Sequence, residues 1–277
     1  MPHIRFIIPM TVNTWLRIAS TAVVGGTLLA STNSAQAQVI PDNSLGAESS
    51  VVTPLDLTTQ RIEGGALRGS HLFHSFLEFG IPEDTGVYFA DPDSISTIFS
   101  RVTGENPSEI YGTLGVLGDA DLFLLNPNGI LFGVDAELDM AGSFVGSTAN
   151  SLMLPDGAEF SATNPAALPM LDIQVEAPVG LLFEGTAPGV IVNAANLEIG
   201  ENLLLAGGTV ISAGELVTPA GEIAVVTVVG DRAPRQINLT QTGELVDVVS
   251  APVSAAIAPE QLLVPRWSTL AGSTEKD

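Results

Sequence analysis

Side chains able to do acid–base or metal chemistry are thinly spread along this sequence. In Arg68–Phe79 (RGSHLFHSFLEF), His71 and His74 lie three residues apart and Glu78 follows. On a helix that spacing puts both imidazoles on one face. A transition metal would need a third ligand, and Glu78 is the one candidate, so packing or surface histidines are the preferred reading. A second group comprises Asp119, Asp121, Asp135, Glu137 and Asp139. A glycosidase needs two carboxylates across one cleft, and a lyase a base with calcium. Asp119 and Asp121 follow a glycine, but the distal glutamate of a calcium loop is missing. Five acids in a chain with 31 Asp and Glu are expected by chance. The sequence has no G-x-S-x-G, H-E-x-x-H or phosphate loop. It predicts no enzyme, no bound metal and no cofactor; a β-helical carbohydrate-active enzyme is the alternative.

The best-specified chemistry is that of the backbone, at Leu122–Gly133 (LFLLNPNGILFG). Asn126 suits the first position of a type I turn, and Pro127 fixes φ at the second. Asn128 tolerates the bridge or left-handed region at the third, and Gly129 closes the fourth. Leu122–Leu125 before it and Ile130–Phe132 after it are short, apolar runs that read as buried strands. A second Asn-Pro turn is expected at Asn106-Pro107. By these residues alone, a structural corner is the preferred reading over a functional one.

Short strands must position these turns. Apolar residues make up 45% and charged residues 14% of the 277, with 28 glycines and few aromatics, a balance that favours a β-rich, turn-rich protein over a helical bundle. From Gly189 to Gly230 short apolar bursts recur at Val190–Val192, Leu197–Ile199, Leu203–Leu205, Val210–Ser212 and Ile223–Val225, with Gly or Asn between most of them. This rhythm predicts successive coils of a β-solenoid of roughly 20 residues or slightly more. A β-sandwich would also space its strands regularly, but with longer strands and more aromatics. Strands are also expected at Gly86–Phe89, around Ile237–Leu239 and around Leu245–Val248. Ile95–Val102 suits a helix or a strand, and Leu72, Phe73, Phe76 and Phe79 a helical stripe or two short strands.

Residues 1–37 read as a secretory signal peptide. Arg5 and Arg17 give the positive end, Ile18–Ala30 the apolar centre, and Ala35-Gln36-Ala37 the small-x-small site that would leave Gln38 first. A membrane anchor is the competing reading, but the run is short of the ~20 apolar residues a span requires. Such a segment implies signal peptidase and the general secretion machinery as partners. Without residues 1–37, 7 basic residues face 31 acidic ones, a net charge of −24. Such a surface repels nucleic acid and anionic membranes. There is no cysteine, so no disulfide hinders passage across a second barrier.

NPNGILFG at Asn126–Gly133, preceded by RVTGENPSEIYGTLGV and LRGSHLFHSF, resembles the N-terminal haemagglutination-activity, or two-partner-secretion, domain of the filamentous haemagglutinin family. FSATNP at Phe160–Pro165 adds to it. The resemblance implies an all-β fold: a right-handed parallel β-helix (β-solenoid) with an N-terminal cap and extra-helical short strands. It divides the chain into a signal peptide (1–37), a lead-in (38–50), a secretion domain (51–165), further β-helix coils (166–250) and a C-terminal tail (251–277). It implies export through a partner outer-membrane barrel with periplasmic recognition domains, a secreted or cell-surface location reached through the periplasm, and a link to adhesion with no ligand identified. The family's two landmarks are an NPNG[IL] turn and an upstream NPNL turn. The first is intact as Asn126, Pro127, Asn128, Gly129 and Ile130. The second keeps Asn106 and Pro107, while Ser108 and Glu109 depart. These residues are the expected transporter-recognition or folding motif. Relatives usually carry a long repeat-rich passenger, so a minimal secreted protein, a truncated remnant and a fragment are all consistent with the sequence.

Overall fold

The computed structural model describes residues 38–154, 158–166, 180–230, 234–239 and 245–250. The expected signal peptide, with Ala35 and Ala37, and the tail over 251–277 lie outside the described residues; Gln38 is the first of them. Among these residues every regular element is a strand except one 3-10 turn, Gly46–Glu48.

The strands stack into a parallel β-solenoid with three faces. The long face holds six parallel strands: His71–Glu78, Thr97–Val102, Asp121–Leu125, Phe144–Ser147, Leu203–Gly207 and Ile223–Thr227. The second face stacks Thr59–Gly64, Gly86–Phe89, Thr113–Val116 and Glu137–Asp139. The third stacks Ser108–Ile110, Ile130–Phe132, Val190–Asn193 and Thr209–Ser212. Register fixes the coil length. The chain takes 26 residues from Leu72 to Ile98, 24 from Ile98 to Leu122 and 22 from Leu122 to Phe144. From Leu203 to Ile223 it takes 20. Between them the step from Phe144 to Leu203 takes 59, because an insertion leaves the stack there.

The insertion explains why the long face is so apolar. Its strands Ser151–Met153, Glu159–Ser161 and Gly180–Phe183 join Arg235–Leu239 and Leu245–Ser250 in a five-stranded antiparallel sheet. That sheet covers the outer side of the long face. Leu72, Ile98, Leu122, Phe144 and Leu203 point into the solenoid. The residues between them, Phe73, Phe99, Phe123, Val145 and Leu204, point outward into a second core with Leu152, Phe160, Leu181 and Ile237. Strands buried on both sides lose the apolar–polar alternation of half-exposed ones. Phe73, Phe99 and Phe123 climb the outer side as a ladder, with ring centroids 5.0 Å apart at each step, within the range where aromatic pairs attract.

At the N-terminus Ile40–Pro41 and Ala66–Arg68 run antiparallel to His71–Glu78, and Ser50–Pro54 runs antiparallel to Thr59–Gly64. These segments occupy the first coil's open edges, which otherwise invite pairing with another chain.

Several expectations resolve differently. Leu72–Phe79 is neither a helical stripe nor two strands, because His71–Glu78 is one strand of eight residues. Ile95–Val102 resolves as the strand Thr97–Val102. Within 166–250 only Val190–Thr227 continues the coils among the described residues. Gly180–Phe183 and the two last strands lie in the antiparallel sheet instead. Strand sequences carry a side-chain period, not a partner direction, so this distinction depends on tertiary pairing.

Candidate functional site

The corner from the long face to the third face is Asn126–Gly129. Its turn closes through the Gly129 N–H, which donates to the Asn126 carbonyl at 3.1 Å. The Asn126 side chain is fully buried and uses both ends of its amide. Oδ1 accepts from the Asn128 N–H at 3.0 Å. Nδ2 donates to the Asn106 carbonyl and to Ser108 Oγ, each at 3.0 Å. The first bond shapes the turn itself, while the other two reach the preceding coil. Asn128 Nδ2 adds a bond to the Gly104 carbonyl at 2.8 Å, and the Asn126 N–H donates to Ser147 of the following coil at 2.9 Å. Each amide left unpaired at such a buried site would cost about 1–3 kcal/mol.

Gly129 is required twice over. Its φ is +128°, and a Cβ there would lie 2.8 Å from the Val190 carbonyl oxygen. The next corner closes on this one as tightly: a Cβ at Gly189 would come within 2.4 Å of the Pro127 carbonyl oxygen. Ile130 is buried and stands in register between Ser108 and Ile191. Asn106 Nδ2 donates to Glu78 Oε1 at 2.9 Å, linking to the coil before. The structure thus brings Asn106, Pro107, Asn126, Pro127, Asn128, Gly129 and Ile130 into one column of stacked corners. Asn106, Pro107 and Asn128 are exposed, Pro127 is half-buried, and Asn126, Gly129 and Ile130 are buried.

The histidines do not come together. Positions three apart on a strand point to opposite sides. His71 packs outward, 5.5 Å from the Phe99 ring. His74 points into the solenoid, fully buried, with its ring 5.3 Å from Phe89 and Nδ1 3.0 Å from Ser50 Oγ. Burial pushes its pKa down to about 3. The five carboxylates also divide. Asp121 is on the long face, where Oδ1 accepts from the Ser143 N–H at 2.7 Å and burial pushes its pKa up to about 6. Glu137 and Asp139 lie on the second face, where Asp139 Oδ2 accepts from the Tyr88 hydroxyl at 2.9 Å. Among the described residues no group of three or more His, Asp or Glu could hold a metal ion.

Two polar devices escaped the sequence reading. Asn193, buried at the end of Val190–Asn193, repeats the Asn126 arrangement. Its Oδ1 accepts from the Ala195 N–H, and its Nδ2 donates to the Ala195 carbonyl and Ser212 Oγ, each at 3.0 Å. An asparagine closing an apolar burst, as in VIVN and LFLLN, is the signal that finds both. The second device centres on Arg101, fully buried on the outer side of the long face. Its guanidinium donates to Ser75 Oγ (2.9 Å), Ser44 Oγ (2.8 Å) and the carbonyls of Ser161 and Ala166 (both 2.9 Å), and lies 4.2 Å over the Phe160 ring. Ser44, Ser75 and Thr103 in turn donate to the Asp42 carboxylate at 2.6–2.8 Å. Burial lowers the Arg101 pKa to about 10, against the pull of Asp42. For Asp42, burial raises the pKa, but the hydroxyl and backbone donors outweigh it and hold it below the usual range.

Residues 37–256 match the TPS secretion domain family. The HMW1 secretion domain from Haemophilus influenzae has a similar fold, with a TM-score of 0.52 at 23% identity over 74% of this chain and 48% of that one. A filamentous hemagglutinin secretion domain gives a TM-score of 0.48 at 18% identity, over 79% of this chain and 70% of that one. In sequence, a 66-residue stretch is 41% identical to a heme/hemopexin-binding protein of Haemophilus influenzae, covering 24% of this chain and 7% of that protein. The chain spans under half of the HMW1 domain structure and a small fraction of the heme/hemopexin-binding relative. A match over residues 37–256, on a parallel solenoid capped at its N-terminus, places this chain in the TPS secretion domain family.

Proposed function

We propose that this chain directs its own export through a partner outer-membrane barrel with periplasmic recognition domains, and that the Asn126–Gly129 corner nucleates the solenoid as the chain emerges. In this reading signal peptidase cuts after Ala37, Gln38 becomes the first residue, and the chain crosses the periplasm before it folds outside the cell. The observation that carries the folding role is the reach of Asn126: one buried amide bonds its own turn and the preceding coil, while its backbone N–H bonds the following one. A solenoid grows by nearest-neighbour burial, so a corner that fixes three coils is where growth starts. In the extended chain Asn106-Pro107 and Asn126–Ile130 are all open to the transporter, so recognition and folding can draw on the same residues at different stages.

The test is secretion of the whole chain from a Gram-negative host, with and without a candidate partner barrel, read by blotting medium and periplasm. Partner-dependent appearance in the medium, with Gln38 first, is expected. Asn126→Ala combined with Gly129→Ala should leave precursor or degraded chain in the periplasm. Normal extracellular yield from that double variant would refute the folding role, and partner-independent yield from the unaltered chain would refute the export route.

A further inference from the structure

Asn128 is the only asparagine of this chain followed by glycine. In an unfolded chain that pair modifies itself readily, because glycine has no side chain to hinder attack by its own nitrogen. The Gly129 nitrogen gives up its proton and bonds to Asn128 Cγ, closing a five-membered succinimide. The Cγ–Nδ2 bond breaks, and ammonia leaves carrying that proton. Water then opens the ring at either carbonyl, giving aspartate or isoaspartate. In isoaspartate the main chain runs through Cβ and Cγ and is one atom longer. The only co-reactant is water. Asn106 and Asn126 are followed by Pro107 and Pro127, which have no N–H to give up, so this route is closed to both.

The folded corner ties down both reacting groups. The Gly129 N–H donates to the Asn126 carbonyl at 3.1 Å. Asn128 Nδ2 donates to the Gly104 carbonyl of the preceding coil at 2.8 Å and to Asn126 Oδ1 at 3.4 Å. Gly189 of the following coil packs on the same peptide: a Cβ there would stand 2.9 Å from the Gly129 nitrogen and 3.0 Å from the Asn128 carbonyl carbon. Asn128 itself is exposed, so these bonds and this packing oppose ring closure, not exclusion of water. The reverse also holds. Ile130 stands in register between Ser108 and Ile191, and an extra main-chain atom just before Gly129 would push it out of that register and open the turn. We propose that Asn128 is a self-modification site that folding closes. In the unfolded chain it converts to aspartate and isoaspartate, and a chain carrying isoaspartate no longer forms the corner. Folding and modification therefore compete for one residue, and delay before folding is recorded covalently. The loss of folding rests on the nucleating role proposed above; the modification and its suppression do not.

The purified secreted chain is held at neutral pH, folded in buffer or unfolded in guanidinium chloride, and mapped by mass spectrometry over time. The peptide bearing Asn128 should exchange –NH2 for –OH at least tenfold faster in the unfolded chain, with no such change at Asn106 or Asn126. Equal rates in the two states would overturn the proposal. On dilution from denaturant, refolding read by circular dichroism should fall with isoaspartate content, relative to chain unfolded only briefly. Treatment with protein isoaspartyl methyltransferase and S-adenosylmethionine before dilution should restore it. Asn128→Asp, whose carboxylate cyclises more slowly, should keep its own refolding yield after the same wait. Full refolding of isoaspartate-bearing chain would overturn the loss of folding, and so would yield that the methyltransferase does not restore. Both results leave the export route to its own secretion test.

Discussion

A single imidazole sets much of the acid response expected of this molecule. His74 is fully buried, Nε2 has no hydrogen-bond partner among the described residues, and its pKa is near 3 in the fold against 6.5 when free. Between those values the unfolded chain takes up a proton that the folded chain refuses. Stability therefore falls as pH drops from 6.5 towards 3, by at most about 1.4 kcal/mol per pH unit. Asp121 acts in the opposite sense. Its folded pKa, near 6, exceeds its free value of 3.8, so it contributes stability that is present below 3.8 and lost as pH rises through 6. Urea midpoints measured from pH 7 to pH 4 should decline only slightly for the unaltered chain, where the two effects largely offset, steeply for Asp121→Asn, and should rise for His74→Leu. An unchanged slope in His74→Leu would assign the acid response to other groups. Neither environment is legible in the sequence, because burial at His74 comes from Ser50, Phe76 and Phe89 on other parts of the fold or strand. The Asn126 turn is legible because its first constraints, a proline, a glycine and an Asx acceptor, are all local.

Among the elements, the lead-in is held by side chains as well as by its own short strand. The Asp42 N–H donates to the Ser75 carbonyl at 3.2 Å, and the Asp42 and Ser44 side chains join the Arg101 hydroxyl network that ties the long face to the antiparallel sheet. Arg101→Ala should therefore free the lead-in as well as lower stability, by roughly 3–5 kcal/mol if the whole set of buried partners is stranded. Limited proteolysis followed by N-terminal sequencing would show faster loss of residues 38–45. A loss of stability with no change in that trimming would mean that the cap is held by Ile40–Pro41 pairing alone. The sequence shows an arginine within the apolar run TIFSRV but not its partners, which lie 57 and 65 residues away at Ser44 and Ala166. The strand rhythm of 189–230 was readable because each coil repeats a local pattern. The antiparallel course of Arg235–Leu239 was not, because a strand's own residues do not state which way its neighbour runs.

For the molecule as a whole, order should decline towards the last coil. Ile223–Thr227 pairs with Leu203–Gly207 and has no further strand beyond it among the described residues, and Ile223, Ala224 and Val225 are only half-buried. Asp121–Leu125 is paired on both sides and wholly buried. Hydrogen exchange at neutral pH should thus be orders of magnitude faster at Val225 than at Phe123, since edge amides open locally and central ones need larger unfolding. Equal protection at the two positions would mean that the terminal coil is covered by another surface in solution.

The detour between Phe144 and Leu203 has a consequence for how such chains can diversify. Closing 59 residues instead of 22 adds an entropic penalty of only about 0.9 kcal/mol, because closure scales with the logarithm of length. The stack resumes beyond the detour in the same register, Phe144 facing Leu203 and Ser147 facing Ala206. The corner after Ser147 is therefore a port: whole segments can be spliced in there at little thermodynamic expense, and the coils on either side need not change to accept them.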